Sequence, residues 1–403
     1  MNVCVVKLNG WPETFDERVD ALAGAVDHVT VVRSKPQSDD GPLARRDNVT
    51  LYDVPPGRGS YVEPGYVQPF VFALHVLGAV AVIAALHLRG NRQIDVIHAL
   101  DYVLGGVACA AVSTVFSLPF VVSVRGLKEP RYRALVEKHG GLSLRIKYRI
   151  LTALSGFVLP RADHVVTKSA YQVEFVRQTF GVTAGVTTVP TGVDFDVFDP
   201  GRVTRSNALA DLDTETRVEP DDTTVLYLSK LISEKGPDRL FEFICEIDDD
   251  LPDDVVFVFV GEARSEAFEQ RLRKLRDHCP ERIAFYPHRV PFERVPALIA
   301  DADAVTLFSE SGVEGVPRIL QEACAMGTPI IAPEVDGIAD AFRGLPGSYL
   351  VDRSSPTAFR DAVLDIVERP PTLDREQCRD RFDIDQNYAR YRDAYEQAIA
   401  ARD

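Results

Sequence analysis

Short apolar runs recur along this chain, each followed by a polar loop and then by a stretch with helical spacing. Asn2–Leu8 is the first run, Asn9–Thr14 is a turn, and Phe15–Ala25 reads as a helix. Further strands are expected at Val29–Val32, Val49–Val54, Gln93–Ala99, Pro119–Val124, Asp163–Ser169 and Val186–Asp194. In the second half the runs are Thr224–Leu228, Val255–Gly261, Ile283–Tyr286, Ala304–Phe308, Pro329–Ala332 and Ser348–Val351. Helices are expected between them, among them Pro237–Ile247 and Pro317–Met326. Each of these two opens on a proline, which suits a first helical turn, and Gly327 lies just past the end of the second. Pro356–Val367 and a long stretch from Glu376 to Ala401 close the chain as helices.

Strand–loop–helix repeats of this kind predict an α/β protein built on open parallel sheets. The polar stretch Arg202–Asp222 fits a connection between two such sheets, so two domains are expected, 1–198 and 199–375, followed by a terminal helix, 376–403. Pro69–Leu88 stands apart: twenty residues without a charge beyond His75 and His87. Its length suits a membrane span, and its place inside an α/β pattern suits a helix docked on a sheet.

Composition narrows the field. The net charge is -15, from 60 acidic against 45 basic residues, which argues against a nucleic-acid-binding body. Only nine of the basic residues are lysine, and arginine over lysine with abundant aspartate fits a salt-adapted surface. Between Arg131 and Arg161 the sign reverses: seven basic residues face only Glu137. This stretch contains the amphipathic RIKYRILTALSGFVL, which fits either a helix lying on an anionic membrane or a solvated helix balanced by acidic neighbours. The six cysteines form no C-x-x-C pair and read as reduced core residues, without a metal site or disulfide framework. The opening strand carries no charged leader pattern, so a cytoplasmic location is expected, with peripheral contact at the inner membrane face as the alternative.

Candidate chemistry concentrates at the carboxyl ends of the predicted strands, where open parallel sheets bind ligands. Ser229–Gly236 follows one strand and carries Lys230 and Lys235, two ammonium groups beside a helix start, which suit a diphosphate. It is not a P-loop, since G-x-x-x-x-G-K-[ST] is missing. Glu314 lies in the loop after Ala304–Phe308 and Glu322 in the following helix, separated by seven residues. Such carboxylates suit sugar diols; the plainer alternatives are a helix cap and a solvated surface acid. Tyr286 could pack against a base. Arg125, at the end of Pro119–Val124 and before Gly126, suits an anionic ligand or an ion pair. Gly10, in the first turn, leaves room for a ligand beside the backbone, although no G-x-G-x-x-G fingerprint is present.

Taken together, these stretches resemble the retaining family 4 glycosyltransferases. LYLSKLISEKGPDRLFEF resembles the family's phosphate loop, VFVGE its next strand, Ser311–Ile331 its E-x7-E helix with the following strand, and VTTVPTGVDFDVF its interdomain turn. The resemblance implies the GT-B fold: two Rossmann-like domains facing across a cleft, the first on the acceptor side, the second binding a nucleotide sugar, and a C-terminal helix crossing back. It implies retaining transfer of a hexose or related sugar to a glycan, lipid-linked or small hydroxyl acceptor, without a metal or resident cofactor. Lys230 and Lys235 would meet the diphosphate, Glu314 the donor sugar, Glu322 the ribose, and Gly315 and Val316 would offer amides. Ser229-Lys230 stands where the family has glycine–arginine, Asp336-Gly337 where it has a glycine pair, and Arg125-Gly126 where it often has histidine–glycine. A nonhydrolysing nucleotide-sugar epimerase, which needs no acceptor, and an inactive sugar-nucleotide-binding protein, which would bind donor without turnover, are the alternatives.

Overall fold

The structure, a computed structural model, describes residues 1–8, 14–34, 47–54, 68–89, 93–203, 207–312 and 315–402. The chain divides into two compact units, Met1–Pro190 with Ile384–Asp403, and Thr191–Asp383.

The first unit runs β1 (Asn2–Lys7), α1 (Thr14–Ala25), β2 (His28–Ser34), β3 (Val49–Val54), α2 (Gln68–Arg89), β4 (Val96–Ala99), α3 (Leu104–Phe116), β5 (Phe120–Ser123), α4 (Lys128–His139), α5 (Leu142–Val158), β6 (His164–Thr167), α6 (Ala170–Phe180) and β7 (Gly185–Thr188). Its described strands form one parallel sheet, ordered β3-β2-β1-β4-β5-β6-β7. Parallel crossovers cover both faces of a sheet, so the central strands are buried on both faces rather than alternating. β4, β5 and β6 are buried along their whole lengths. One face carries the core shared by α2, α3, α5 and α6. On the other face the core is shared with α1 and the last helix of the chain.

The second unit runs β8 (Thr223–Leu228), α7 (Pro237–Glu246), β9 (Val255–Val260), α8 (Glu266–Arg276), β10 (Ile283–Tyr286), α9 (Val295–Asp301), β11 (Ala304–Thr306), α10 (Arg318–Met326), β12 (Ile330–Pro333), α11 (Asp336–Phe342), β13 (Ser348–Val351), α12 (Pro356–Glu368) and α13 (Arg375–Phe382). Its sheet is again parallel, ordered β10-β9-β8-β11-β12-β13. The winding reverses between β8 and β11, which opens a crevice beyond the carboxyl ends of those strands. An aromatic cluster fills the core below it: Phe241 and Phe259 lie 4.4 Å apart edge to face, and Tyr227 stacks on Phe259 at 5.1 Å. Such pairs contribute about 1 kcal/mol each beyond their burial.

Three features differ from the reading of the sequence. The chain enters the second unit at Thr191, before residue 199, because Phe195 and Phe198 are buried in that unit's core. Their carbonyls accept from the Arg375 guanidinium at 2.8 and 3.3 Å. The long terminal helix is broken: α13 packs in the second unit through Cys378 and Phe382, and α14 (Ile384–Ala400) returns to the first. Asp383 takes an extended conformation between them, and the Val193 amide donates to the Phe382 carbonyl at 2.7 Å, which holds the break in place. Cys245 and Cys279, expected as separate thiols, form a disulfide: α7 and the turn after α8 bring their Cα atoms to 5.4 Å. The apolar 69–88 stretch, in keeping with its place inside an α/β pattern, is a helix docked on the first unit's core, and it buries a single stripe, His75, Ala79 and Ile83.

Candidate functional site

The second unit's crevice is lined by loops that close approach and backbone bonding hold in one shape. The β8 loop begins where the Ser229 amide donates to the Val260 carbonyl at 3.1 Å, and the Leu231 amide to that of Glu262 at 3.0 Å. This parallel continuation leaves no room beside Gly261: a Cβ there would stand 1.8 Å from the Ser229 carbonyl oxygen. The loop then makes a helical turn over Ser233–Lys235 and ends at Gly236 in the left-handed region, φ 70°. A Cβ on Gly236 would lie 2.1 Å from the Phe308 carbonyl oxygen, so this position needs glycine twice over.

Lys230 is exposed and Lys235 half-buried. The Tyr227 hydroxyl lies 3.4 Å from the carbonyl oxygens of both residues and donates its proton to one at a time. The sequence reading passed over Tyr227, because an aromatic residue in a central strand reads as core. The loop after β11 joins the same group: the Glu310 amide donates to the Glu234 carbonyl at 3.0 Å. The loops carrying the two lysines and leading to Glu314 are therefore bonded to each other.

Val316 and Gly315 are buried at the entry to α10, and the Gln321 side-chain amide donates to the Val316 carbonyl at 3.0 Å. Glu322 lies on α10 and is buried, not solvated. Arg318, one turn earlier, donates from Nε to Glu322 Oε1 at 2.6 Å, and its guanidinium sits 5.3 Å from the Phe292 ring centre. This pairing fixes the direction of the carboxylate, whose oxygens are acceptors only, the chemistry that suits a diol. Asp336, where a glycine pair was expected, has φ 41°. Its carboxylate accepts from the Ser311 hydroxyl at 3.0 Å and from the Gly312 amide, tying down the loop before α10. No spacing rule pointed to Asp336; its mismatch with the glycine pattern was the available signal. Tyr286 is half-buried at the end of β10, edge-on to His288 at 5.1 Å. Glu314 and Gly10 lie outside the described residues.

Arg125 belongs to the first unit, at the carboxyl end of β5. Its guanidinium lies 4.6 Å from the Phe15 ring centre, and Lys7 Nζ and the Arg18 guanidinium lie 4.8 and 4.9 Å from the same ring. Burial pushes the Lys7 ammonium down to about 8; Asp101 opposes the shift, and Arg125 and Lys128 add to it. Asp101 caps α3, accepting from the amides of Val103, Leu104 and Gly105 at 2.9 to 3.3 Å. His98, at the end of β4, is a structural group: its ring bonds Tyr395 at 2.7 Å and Ser123 at 2.8 Å. Burial, with Lys168 nearby, pushes it down to about 3. Lys168 is itself buried, donating to the Val189 carbonyl at 3.0 Å and the Tyr391 hydroxyl at 3.1 Å.

Two parallel-sheet units in one chain, each with its chemistry at the carboxyl ends of the strands, define the GT-B architecture. The solved structure of sucrose-phosphate synthase from Thermosynechococcus elongatus shares it with a TM-score of 0.77 over 100% of both chains at 18% identity, a likeness of fold alone. The family model described as Glycosyltransferase Family 4 matches residues 14–197, and that of Glycosyl transferases group 1 matches residues 211–381. The chain belongs to the family 4 glycosyltransferases and is a transferase enzyme. Among curated relatives, a D-inositol 3-phosphate glycosyltransferase of Catenulispora acidiphila is 26% identical over 81% of this chain and 74% of its own length. A GDP-mannose-dependent phosphatidylinositol monomannoside mannosyltransferase of Mycolicibacterium smegmatis is 27% identical over 52% of this chain and 54% of its own. For that protein and several other relatives, the chain spans about half of their length.

Proposed function

We propose that this enzyme moves a hexose, with retention of its anomeric configuration, from a nucleoside diphosphate sugar to a hydroxyl of a phosphate-bearing acceptor. The observation that carries this reading is the bonded pair of loops in the second unit. Tyr227, Gly236 and Gly261 hold the β8 loop with Lys230 and Lys235, and the Glu310 amide ties it to the loop that leads to Glu314 and Glu322.

As the sugar–phosphate bond breaks, negative charge grows on the diphosphate. Lys230, Lys235 and the amides entering α10 are suited to stabilise it, an electrostatic role that preorganised donors fill at little cost. Glu322, aimed by Arg318, would accept from the ribose hydroxyls and Glu314 from the sugar. The acceptor hydroxyl attacks the face the diphosphate leaves, and the departing phosphate oxygen takes its proton. Exclusion of water protects the donor from hydrolysis. Support for a phosphate on the acceptor comes from the first unit, where Lys7, Arg18 and Arg125 converge on Phe15. The names of the inositol phosphate and phosphatidylinositol relatives point the same way.

The test is transfer from UDP- and GDP-hexoses to inositol phosphate, to phosphatidylinositol and to free inositol, with the product anomer read by NMR. The reading expects one retained anomer, phosphorylated acceptors preferred over inositol, and a loss of about a hundredfold in kcat/KM for Lys235→Ala. Unchanged transfer by that variant would remove the phosphate assignment. Epimerised donor formed without any acceptor would favour the epimerase reading.

A further inference from the structure

The first unit carries a cluster of exposed apolar side chains among its described residues. Among the described residues ten large apolar side chains are exposed, and eight of them stand on α2, α3 and α5. These helices lie on one face of the sheet: α2, α3 and α5 all contribute to the same buried core. Val115, at the end of α3, is 73% exposed.

α5 is apolar on both sides. Leu151, Ser155 and Val158 face inward. On the opposite side Leu142, Ile146, Ile150, Ala153 and Phe157 recur at helical spacing and are exposed, Leu142 by 74%. Arg145 and Arg149 flank this stripe on one side and Lys147 on the other. α2 repeats the design. Its buried stripe is His75, Ala79 and Ile83, and its outward stripe of Leu74, Leu77, Ala81, Ala84 and Leu88 has Leu77 63% exposed. The 72–89 stretch has a mean hydropathy of 1.8, with only 17% of it buried.

Charge selects the occupant. The sequences of α2, α3 and α5 contain no aspartate or glutamate, although the chain holds 60 acidic residues. Their charged side chains are Arg89, Arg145, Lys147 and Arg149. A second copy of the chain docking through the same face would set these cations against one another. An anionic bilayer complements them: apolar side chains enter the acyl boundary while arginine and lysine stems reach back to the headgroups. A patch of this extent exceeds the scattered apolar residues normal on soluble surfaces.

We propose that the outward stripes of α2 and α5 seat the first unit on an anionic lipid surface, both helices lying along the interface. The basic stretch 131–161 then supplies only half of the docking face, and α2 supplies an uncharged second half. The proposal does not depend on which sugar or acceptor the enzyme uses.

The experiment is flotation of the full-length protein, without donor or acceptor, on vesicles of phosphatidylcholine alone and of phosphatidylcholine mixed with phosphatidylglycerol. Binding to the mixed vesicles and weak binding to the neutral ones is expected. The double variant Ile146→Glu/Ile150→Glu should lose binding about tenfold or more, and Leu74→Glu/Leu77→Glu should do the same from the other helix. Arg145→Gln/Arg149→Gln should weaken binding to the anionic vesicles alone and flatten its salt dependence. All are exposed positions, so unchanged circular dichroism and melting should accompany each loss. Equal binding to neutral vesicles, unaltered binding by the two glutamate pairs, or no binding by the natural protein would overturn the proposal. So would a stable dimer in solution that either glutamate pair disperses.

Discussion

At the scale of single residues, the chain separates groups that hold a shape from groups suited to chemistry. His98 stands at the carboxyl end of a parallel strand, where ligands commonly bind, yet Tyr395 and Ser123 occupy both its ring nitrogens. Its folded value of about 3 lies below the ordinary 6.5, so the unfolded chain binds a proton between those limits that the folded chain refuses. Its contribution to stability is therefore complete above pH 6.5 and is lost as the pH falls toward 3. Relative to His98→Gln, the natural protein should lose about 1.4 kcal/mol per pH unit across that window, measured by urea unfolding. Parallel pH dependences for the two proteins would contradict the assignment. Gly236 makes a second residue-scale test. Gly236→Ala adds a left-handed alanine and a clash with Phe308, and should cost roughly 1–3 kcal/mol from the backbone conformation alone. Its effect on nucleotide affinity should exceed its effect on melting, because the displaced loop carries Lys235.

At the scale of elements, the strand–loop–helix units were readable because buried parallel strands form unbroken apolar runs and because Pro317 and Gly327 mark the limits of α10. Lys230, Lys235 and Glu322 could be placed on their elements for the same reason. What the sequence did not carry depends on tertiary partners. The break at Asp383 has no proline or glycine to announce it; it exists because Phe382 is buried in one unit and Ile384 in the other. The Cys245–Cys279 bond joins positions 34 residues apart that only the packing of α7 and α8 brings together. Asp336 is legible only as a missing glycine, and its function as a tether for Ser311 and Gly312 needs the fold. Asp336→Gly should accordingly loosen the loop before α10: faster amide exchange at Gly312, whose N–H the carboxylate holds, and a several-fold rise in KM for the donor. Unchanged exchange at the Gly312 amide would refute the tether.

At the scale of the whole molecule, the chain builds its first unit from both of its ends. Tyr388, Tyr391 and Tyr395 of α14 are buried against the face that α1 also covers, and Arg402 pairs with Asp163 at 2.8 Å. Truncation after Asp383 removes this layer from one unit and leaves the sheet of the other complete. Calorimetry of the truncated protein should show the first unit's transition lowered or lost and the second unit's retained. A uniform fall of both would argue against two separate cores. The same division sorts the chemistry. Lysines and carboxylates suited to a nucleotide sugar lie in Thr191–Asp383, while the cations around Phe15 and the apolar-basic face of α2 and α5 lie in the first unit.

The central claim is that Lys230 and Lys235 hold the diphosphate of the donor. Isothermal titration of UDP and GDP into the natural protein and into Lys230→Ala and Lys235→Ala tests it without any knowledge of sugar or acceptor. Loss of a charge-assisted hydrogen bond removes about 1.5–3 kcal/mol, so each variant should bind the preferred nucleotide roughly ten- to a hundredfold more weakly. Nucleotide affinity equal to that of the natural protein in both variants would contradict the account.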